Sequence, residues 1–358
     1  MSGIVPSGEE TIFGIMLILE GWSVVMLHPR LRGTYYEIGL KYGSALAKHG
    51  FKLPQMDQET LALGMRCEEE VRSVFPEILD EVRALAEAIH EPYESLAGFI
   101  LTVGYGKPVG CSAFASVSDS GIIFGRNYDF YYRFAKSSES YLTRPKHAYA
   151  SLGNTDVFVG REDGVNEKGL GISIHFVSTQ LGTPGINFPI AARYVLDRCS
   201  DIGEAVVFLT RVKFLTANNY LVADKNGGMA VVEACPGGVQ VRRPENGEGF
   251  IAATNHFVHP EMKQFEEIAK RDPDSEIRYS RILKNLREVR GRVTASIAKR
   301  ILSDHEGRVC SHLEYVNLGT LWSQIVDLQK LTVLRAEGQP CKTKYRTDKR
   351  LQDSIKVR

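Results

Sequence analysis

Cysteines are few in this sequence, and no two of them form a CxxC pair. The six are Cys67, Cys111, Cys199, Cys235, Cys310 and Cys341. This spacing argues against a zinc site and against a dense disulfide framework. A reduced, cytoplasmic setting is therefore favoured. No basic block is present, and 44 Lys and Arg against 43 Asp and Glu leave a net charge of +1, so no nucleic-acid partner is expected.

Long apolar runs are also scarce. The run over 11–27 is interrupted by Glu20, and no Lys or Arg precedes it. A signal peptide needs a basic start, and a membrane helix needs about 18 or more apolar residues. The sequence therefore predicts neither, and no membrane partner is expected. A pair of strands broken near Glu20 is favoured over a helix.

Most of the chain alternates between helical and strand patterns. Helical spacing of apolar residues runs through 31–105, with Asp57 as an N-cap and a break at Pro76. Further helices are predicted over 190–199, 202–212 (capped by Asp201), 262–271, 275–289 and 294–302, and strands over 169–174, 220–223, 229–233, 239–241, 321–327 and 331–335. This arrangement indicates a layered α+β domain with mostly antiparallel pairing.

The stretch 108–130, PVGCSAFASVSDSGIIFGRNYDF, carries the strongest single signal. Small and apolar residues alternate after Cys111, turn residues occupy 118–121, and an apolar return strand begins at 122. This pattern predicts a β-hairpin that starts with a thiol.

The predicted turn determines which side chains face each other. If it centres on Ser120, Cys111 faces Asp129 and Phe114 faces Arg126, with Cβ atoms of facing residues about 4.5–5.5 Å apart. A thiol, an Arg and an Asp are then expected at the open end of the hairpin. Positions 126 and 129 point to opposite faces of a regular strand, so both reach Cys111 only if a bulge intervenes.

Gly110 gives Cys111 a second possible role. A glycine leaves room for the following thiol to attack its carbonyl. The resulting N-to-S acyl shift and hydrolysis would free the α-amine of Cys111. Such an amine has a pKa of about 7.7–8.0, suited to a general base at neutral pH. Alternatively, Cys111 is a small buried residue of a core strand, as free cysteines often are.

The motif Gly110-Cys111-Ser112, followed by Gly125 to Phe130 (GRNYDF), resembles the cysteine N-terminal-nucleophile hydrolases. The similarity is greatest to acyl-coenzyme A:6-aminopenicillanic acid acyltransferases (isopenicillin N acyltransferase-like), and choloylglycine hydrolases are more distant. It continues in order through motifs at 164–170, 219–224, 253–257, 278–281, 304–307 and 338–341. It therefore covers nearly everything from about Leu31 onward.

The resemblance implies a four-layer αββα sandwich and self-cleavage between Gly110 and Cys111. Residues 1–110 would form a mainly helical small chain and 111–358 the catalytic portion, the two together making one structural domain. The implied substrate is a small molecule, a linear amide or an acyl thioester. Neither a metal nor an organic cofactor is required, and a homo-oligomer is possible.

Roles for individual residues also come from the resemblance. Arg126 would lower the pKa of the thiol, and Asp129 would accept hydrogen bonds from the Cys111 amine. Asn166 and Asn255 would donate to the oxyanion, and Arg281 would hold the thiolate. From the residues alone, Asn166 is a turn residue, Asn255 a strand-end cap and Arg281 part of a solvated helix face.

Together these features predict a self-processing cysteine amidohydrolase or acyltransferase that forms an acyl-enzyme at Cys111. Two alternatives stay open. One is a catalytically silent protein of the same fold that binds an acyl ligand and is never processed. The other is an ordinary thiol hydrolase with His256 or His305 as its base.

Overall fold

The structure, a computed structural model, describes residues 28–103, 110–119, 121–137, 139–156, 158–180, 182–245, 247–268, 272–289 and 292–356. The strand pair predicted within 11–27 and the loop that precedes Gly110 lie outside the described residues. Within the described ranges, no helix is both long enough and apolar enough to cross a membrane.

A short strand and four helices open the described chain. They are β1 (Arg30–Gly33), α1 (Tyr35–Lys48), α2 (Gln58–Val74), α3 (Pro76–Ile89) and α4 (Tyr93–Thr102). The predicted cap is confirmed, since the Asp57 carboxylate accepts a hydrogen bond from the Thr60 N–H at 2.7 Å. The predicted break is confirmed as well, because Pro76 begins α3, where its missing N–H costs no helical hydrogen bond.

The first sheet has eight strands in the order β1-β4-β5-β6-β7-β8-β9-β10. Beyond β1 they are β4 (Glu139–Pro145), β5 (Ser151–Thr155), β6 (Asp163–Asn166), β7 (Leu170–Phe176), β8 (Asn218–Asp224), β9 (Met229–Cys235) and β10 (Gly238–Arg242). The β1–β4 pair is parallel, and the other pairs of this sheet are antiparallel.

The second sheet follows the order β11-β2-β3-β13-β14-β15, with β12 paired to β13. Its strands are β2 (Gly110–Ser118), β3 (Gly121–Tyr131), β11 (Phe250–Ala253), β12 (His312–Leu313), β13 (Leu318–Asp327), β14 (Thr332–Ala336) and β15 (Arg346–Asp348). Its pairs are all antiparallel, so the predicted preference for antiparallel pairing is confirmed.

Five more helices complete the described chain: α5 (Phe188–Arg198), α6 (Ile202–Leu209), α7 (Ser275–Val289), α8 (Ala295–Leu302) and α9 (Arg350–Lys356). Asp201 caps α6 as predicted. The helix predicted over 262–271 is wrong, because the described part of that range holds a 3₁₀ turn at Lys263–Phe265. Tertiary contacts override the local pattern there: the Glu266 carboxylate accepts from the Phe257 N–H, and the Glu267 N–H donates to the Ser178 carbonyl.

Three buried clusters define the order of the layers. Val222 of β8 belongs to the cluster under helices α1 to α6, whereas its neighbour Leu221 packs with Ala113 of β2 between the two sheets. Phe114, the next residue of β2, packs with Leu286 of α7 on the outer face of the second sheet. Successive strand residues thus face different layers, as the period of two requires. The order is helix, sheet, sheet, helix, which confirms the αββα sandwich.

A buried ionic network joins the first helices to the sandwich. The Arg193 guanidinium of α5 lies 2.9 Å from the Glu81 carboxylate of α3 and 2.8 Å from the Asp197 carboxylate. The Tyr35 hydroxyl of α1 donates to Asp197 at 2.9 Å. All four side chains are buried, so helices α1 and α3 are tied to the layer that covers the first sheet.

Candidate active site

The predicted hairpin is present, but its register differs from the prediction by one residue. Observed pairs include Gly110 with Asp129, Cys111 with Tyr128, Ala113 with Arg126 and Phe114 with Gly125. The predicted pairing of Cys111 with Asp129, and of Phe114 with Arg126, is therefore wrong. The cause is the turn: Ser118 pairs with Gly121, which closes a two-residue turn in place of one centred on a single residue.

In this register the side chains of Arg126 and Asp129 lie on opposite faces of the hairpin. Cys111 and Arg126 share one face, whereas Asp129 shares the other with Gly110. No bulge interrupts the pairing of β2 with β3; the irregularity lies between β3 and β13, at Thr320/Trp322. Arg126 therefore approaches the thiol, and Asp129 approaches the backbone on the other side.

The Cys111 thiol lies against a guanidinium in the protein interior. The Arg126 Nη2 atom is 3.5 Å from Cys111 Sγ, and both side chains are at most 2% exposed. Burial raises the pKa of Cys111 to about 12, while the charge of Arg126 acts in the opposite direction. In this structure the thiol is thus protonated at neutral pH, with a cation beside it.

Arg126 is itself held by acidic groups. Its Nε atom lies 3.3 Å from the Asp163 carboxylate, and its Nη2 atom lies 3.8 Å from the Glu162 carboxylate. Burial acts to lower the pKa of Arg126, but Asp163, Cys111 and Glu162 together more than offset this, and the net pKa is raised. The guanidinium is therefore a fixed positive charge beside Cys111.

Two side chains hold the Cys111 backbone. The Cys111 N–H donates to Asn255 Oδ1 at 2.6 Å, and the Cys111 carbonyl accepts from Arg278 Nη1 at 2.6 Å. Asn255 Oδ1 also accepts from Arg278 Nη2 at 3.0 Å, while Asn255 Nδ2 donates to the Phe176 carbonyl at 2.9 Å. Because both groups facing Oδ1 are donors only, the network fixes the orientation of this amide.

Asp129 places a carboxylate oxygen beside the α-carbon of Gly110. Its Oδ1 accepts from the Thr320 hydroxyl at 2.6 Å, and its Oδ2 has no hydrogen-bond partner among the described residues. A Cβ atom at Gly110 would lie 2.9 Å from that Oδ2. Burial raises the pKa of Asp129 to about 7, although Arg278 and the Thr320 hydrogen bond oppose the shift.

The structure does not bring Arg281 to this cluster. Its guanidinium lies 2.7 Å from the Asp304 carboxylate and 2.6 Å from the Glu306 carboxylate, at the edge of the protein. The buried face of α7 carries Ser275, Arg278, Ile282 and Leu286, so position 281 points about 100° away from it. Arg278, one turn earlier, lies at Cys111 instead. The sequence signal that would have found Arg278 is its phase with the apolar positions of the helix.

Asn166 also lies outside the cluster. Its Nδ2 donates to the Leu196 and Cys199 carbonyls at 3.0 and 2.7 Å, and its Oδ1 accepts from the Lys168 and Leu170 N–H groups. Both amide protons are therefore committed to the end of α5. The structure supports the turn-residue interpretation of Asn166 and leaves it no proton for an oxyanion.

Three histidines are candidate bases by sequence or by position: His256 and His305 are the alternatives predicted from the sequence, and His175 lies beside Cys111. His256 Nδ1 lies 2.7 Å from the Ser275 hydroxyl, and the His305 ring packs edge-on against His312. His175, buried in β7, is the one whose pKa is influenced by Cys111, through a backbone hydrogen bond. Burial, reinforced by Arg126 and Arg278, lowers the pKa of His175 well below its usual value, so this ring is neutral.

The αββα sandwich is the architecture of the N-terminal-nucleophile hydrolases. Residues 117–342 match the family model described as acyl-coenzyme A:6-aminopenicillanic acid acyl-transferase. The match covers more than half of the chain, and the chain belongs to this family. Membership supports an amide hydrolase or acyltransferase in general. Gly110 and Cys111 lie just before the matched residues.

Solved structures with a similar outline include penicillin V acylase from Agrobacterium tumefaciens, at 17% identity over 63% of this chain and 83% of that one, with a TM-score of 0.45. The N-acylethanolamine-hydrolyzing acid amidase ortholog of Caenorhabditis elegans is 16% identical over 61% and 93%, with a TM-score of 0.46. A variant of conjugated bile acid hydrolase from Clostridium perfringens is 16% identical over 66% and 96%, with a TM-score of 0.49. No curated protein sequence matches the chain.

Proposed function

We propose that this protein is a self-processing cysteine enzyme that cleaves its own Gly110–Cys111 bond and then transfers acyl groups through Cys111. The observation that carries the proposal is the set of contacts on one residue. Arg126 lies 3.5 Å from the thiol, and Asn255 and Arg278 each hold a backbone group at 2.6 Å. The backbone groups of any buried residue need hydrogen-bond partners, but a cysteine that served only to fill the core would not need a guanidinium beside its thiol.

Self-cleavage would proceed in two balanced steps. The Cys111 sulfur attacks the Gly110 carbonyl carbon, the C–N bond breaks, and the thiol proton is passed on to the departing nitrogen. This leaves a thioester and a free α-amine. Water then attacks the thioester, giving the Gly110 carboxylate and the Cys111 thiol. Asp129, with a pKa of about 7 and its carboxylate beside Gly110, would relay the proton.

After cleavage, the same contacts would serve the second reaction. Asn255 Oδ1, already 2.6 Å from the Cys111 nitrogen, would orient the amine so that its lone pair faces the thiol. The amine takes the thiol proton as general base, and Arg126 stabilises the thiolate. Donation to an oxyanion by Asn255 stays a prediction, since Nδ2 points at the Phe176 carbonyl in the uncleaved chain.

The burial of the thiol argues that cleavage comes before catalysis. Cys111 is 2% exposed, so a substrate reaches it only after the groups that cover the thiol move away. The proposed substrate is a small linear amide or an acyl thioester. Attack would release the amine or thiol and leave an acyl-enzyme, which water hydrolyses or a second amine intercepts.

Intact mass under denaturing conditions tests the self-cleavage. We expect the native protein to give two fragments that split between Gly110 and Cys111, and the Cys111→Ala variant to give one uncut chain. Cys235→Ala is the matched control, because Cys235 is another buried cysteine, and it should cleave as the native protein does. An uncut native chain after long incubation would contradict self-processing and favour the silent acyl-binding protein.

Activity is tested separately with chromogenic amides that carry acyl chains of different length. The cleaved protein should release the chromophore and form an acyl adduct on Cys111, detectable as added mass on the larger fragment. Cleavage without any turnover or adduct would leave self-processing in place and refute the acyl transfer. Turnover by an uncleaved chain would point instead to an ordinary thiol hydrolase.

A further inference from the structure

Two cysteines and two histidines, three of them within residues 305–312 and the fourth much further along the chain, converge at one end of β12. The four are His305, Cys310, His312 and Cys341, here called the Cys2His2 cluster. One possible ligand atom from each lies within 4.8 Å of the others. Cys310 is buried, His305 is exposed, and the other two are partly exposed, so the cluster has a closed inner side and a solvent side.

Local structure brings each of these residues to the cluster. The turn after α8 holds His305 and Cys310 together, since the Cys310 N–H donates to the Asp304 carbonyl at 2.9 Å. His312 is fixed by the pairing of β12 with β13. Cys341 lies in a turn beyond β14, where the Gln339 carbonyl accepts two backbone N–H groups. The wide gap before Cys341 explains why the linear spacing of cysteines argued against a zinc site.

His312 lies at the centre of the cluster. Its Nε2 atom is 3.3 Å from Cys310 Sγ and 3.2 Å from Cys341 Sγ. Zinc in proteins is bound tetrahedrally, with Zn–S near 2.3 Å and Zn–N near 2.0–2.1 Å, which places S and N ligands about 3.6 Å apart. The observed separations are within a few tenths of an ångström of that value, so small side-chain shifts would admit the ion.

A carboxylate lies on the far side of the His312 ring. Glu314 Oε1 is 3.5 Å from His312 Nδ1. A histidine that binds zinc through one nitrogen commonly donates its other N–H to a carboxylate, which fixes the tautomer. Hydrogen bonds between thiols and an imidazole would account for the sulfur contacts alone, but they would not require His305 or this carboxylate.

We propose that the Cys2His2 cluster binds one Zn²⁺ ion, with His305, Cys310, His312 and Cys341 as its four ligands and Glu314 orienting His312. Two thiolates and two imidazoles are a donor set that zinc favours. Four protein ligands leave no coordination position for a substrate, so the site is structural.

The ion would fix a segment that supports the candidate active site. Ser311, between two of the ligands, donates its N–H to the Thr320 hydroxyl at 3.0 Å, and that hydroxyl donates to Asp129 at 2.6 Å. Zinc would therefore stabilise the strand that positions Asp129 without touching the reacting atoms. Metal binding itself does not depend on the proposed activity.

Zinc content tests the proposal directly. Full-length protein is reduced, stripped with a chelator, supplied with Zn²⁺ and dialysed. We expect one zinc per chain by elemental analysis, and Co²⁺ in its place should give the visible and thiolate charge-transfer bands of a tetrahedral site. Cys310→Ser and Cys341→Ser should lose both signals, whereas Cys235→Ser should keep them. Circular dichroism checks that each variant is folded.

Two milder variants keep the test informative if the cysteine variants fail to fold. His305 and Glu314 are exposed, so His305→Ala and Glu314→Gln should fold normally. Glu314→Gln should weaken zinc binding by about tenfold, the lower end of the usual effect of such partners, and His305→Ala should weaken it more. The proposal is overturned if the reduced native protein retains no zinc, if these variants bind it unchanged, or if a Cys310–Cys341 disulfide forms as readily with zinc as without.

Discussion

The Asp129 carboxylate lies directly against the α-carbon of Gly110: a Cβ atom built at that glycine would be 2.9 Å from Asp129 Oδ2 and 3.0 Å from Asp129 Cβ. A glycine before Cys111 therefore leaves space for this acid as well as for the thiol attack that we propose. The contact joins the bond that we propose is cleaved to the group that we propose relays the proton.

Gly110→Ala should slow self-cleavage by at least tenfold, because the added methyl group displaces the Asp129 carboxylate. Gly249→Ala is the control, since a Cβ there would meet Val117 at an ordinary 3.4 Å. The fraction of cleaved chain is followed over time by denaturing gel and intact mass. Equal rates in the two variants would show that the close contact at Gly110 has no part in cleavage.

Arg278 and Arg281 differ by one turn of α7 and give a matched pair of variants. Arg278→Ala removes the donor to the Cys111 carbonyl and should slow cleavage more than tenfold. This corresponds to a rise of at least about 1.4 kcal/mol in the activation free energy. Arg281→Ala loses only partly exposed ion pairs with Asp304 and Glu306, so its rate should stay within about twofold of the native rate. The reverse order of effects would return the role to Arg281.

The sequence predicted local elements well because their signals are local. The Asp57 cap, the Pro76 break and the Asp201 cap each depend on a few adjacent residues, and all three are confirmed. The hairpin was also predicted, but turn residues alone do not fix whether a turn holds one central residue or two. That difference of one shifted every cross-strand pair, including those of Cys111.

Predictions that depend on distant contacts were less successful. The choice between Arg278 and Arg281 depends on which face of α7 packs on β2, and the loss of the helix over 262–271 depends on contacts from Phe257 and Ser178. Three residues of the Cys2His2 cluster are close in sequence, but Cys341 joins them only through the turn after β14. The cysteine spacing alone does not record that contact.

Asn166 and Asn255 should respond in opposite ways to substitution. Asn166→Ala removes two donated hydrogen bonds at the end of α5 and should lower the free energy of unfolding by about 1–3 kcal/mol, with little change in the rate of cleavage. Asn255→Ala removes the acceptor of the Cys111 N–H and should slow cleavage by at least tenfold. Denaturant unfolding and the time course of cleavage separate the two effects. Slow cleavage in a stable Asn166→Ala protein would restore a catalytic role to Asn166.

The Asp129 carboxyl should make stability depend on pH in a definite direction. Burial raises its pKa to about 7, above the usual value near 3.9. The folded state therefore holds the proton more tightly than the unfolded state does, and this stabilisation is lost as the pH rises from about 4 to about 7. Both proteins in the comparison carry Cys111→Ala, which prevents cleavage, and one of them also carries Asp129→Asn. The Asp129→Asn protein should not show this loss of stability. Relative to that variant, the parent protein should lose up to about 4 kcal/mol of unfolding free energy over this range. Parallel curves of stability against pH for the two proteins would show that Asp129 titrates at an ordinary pKa.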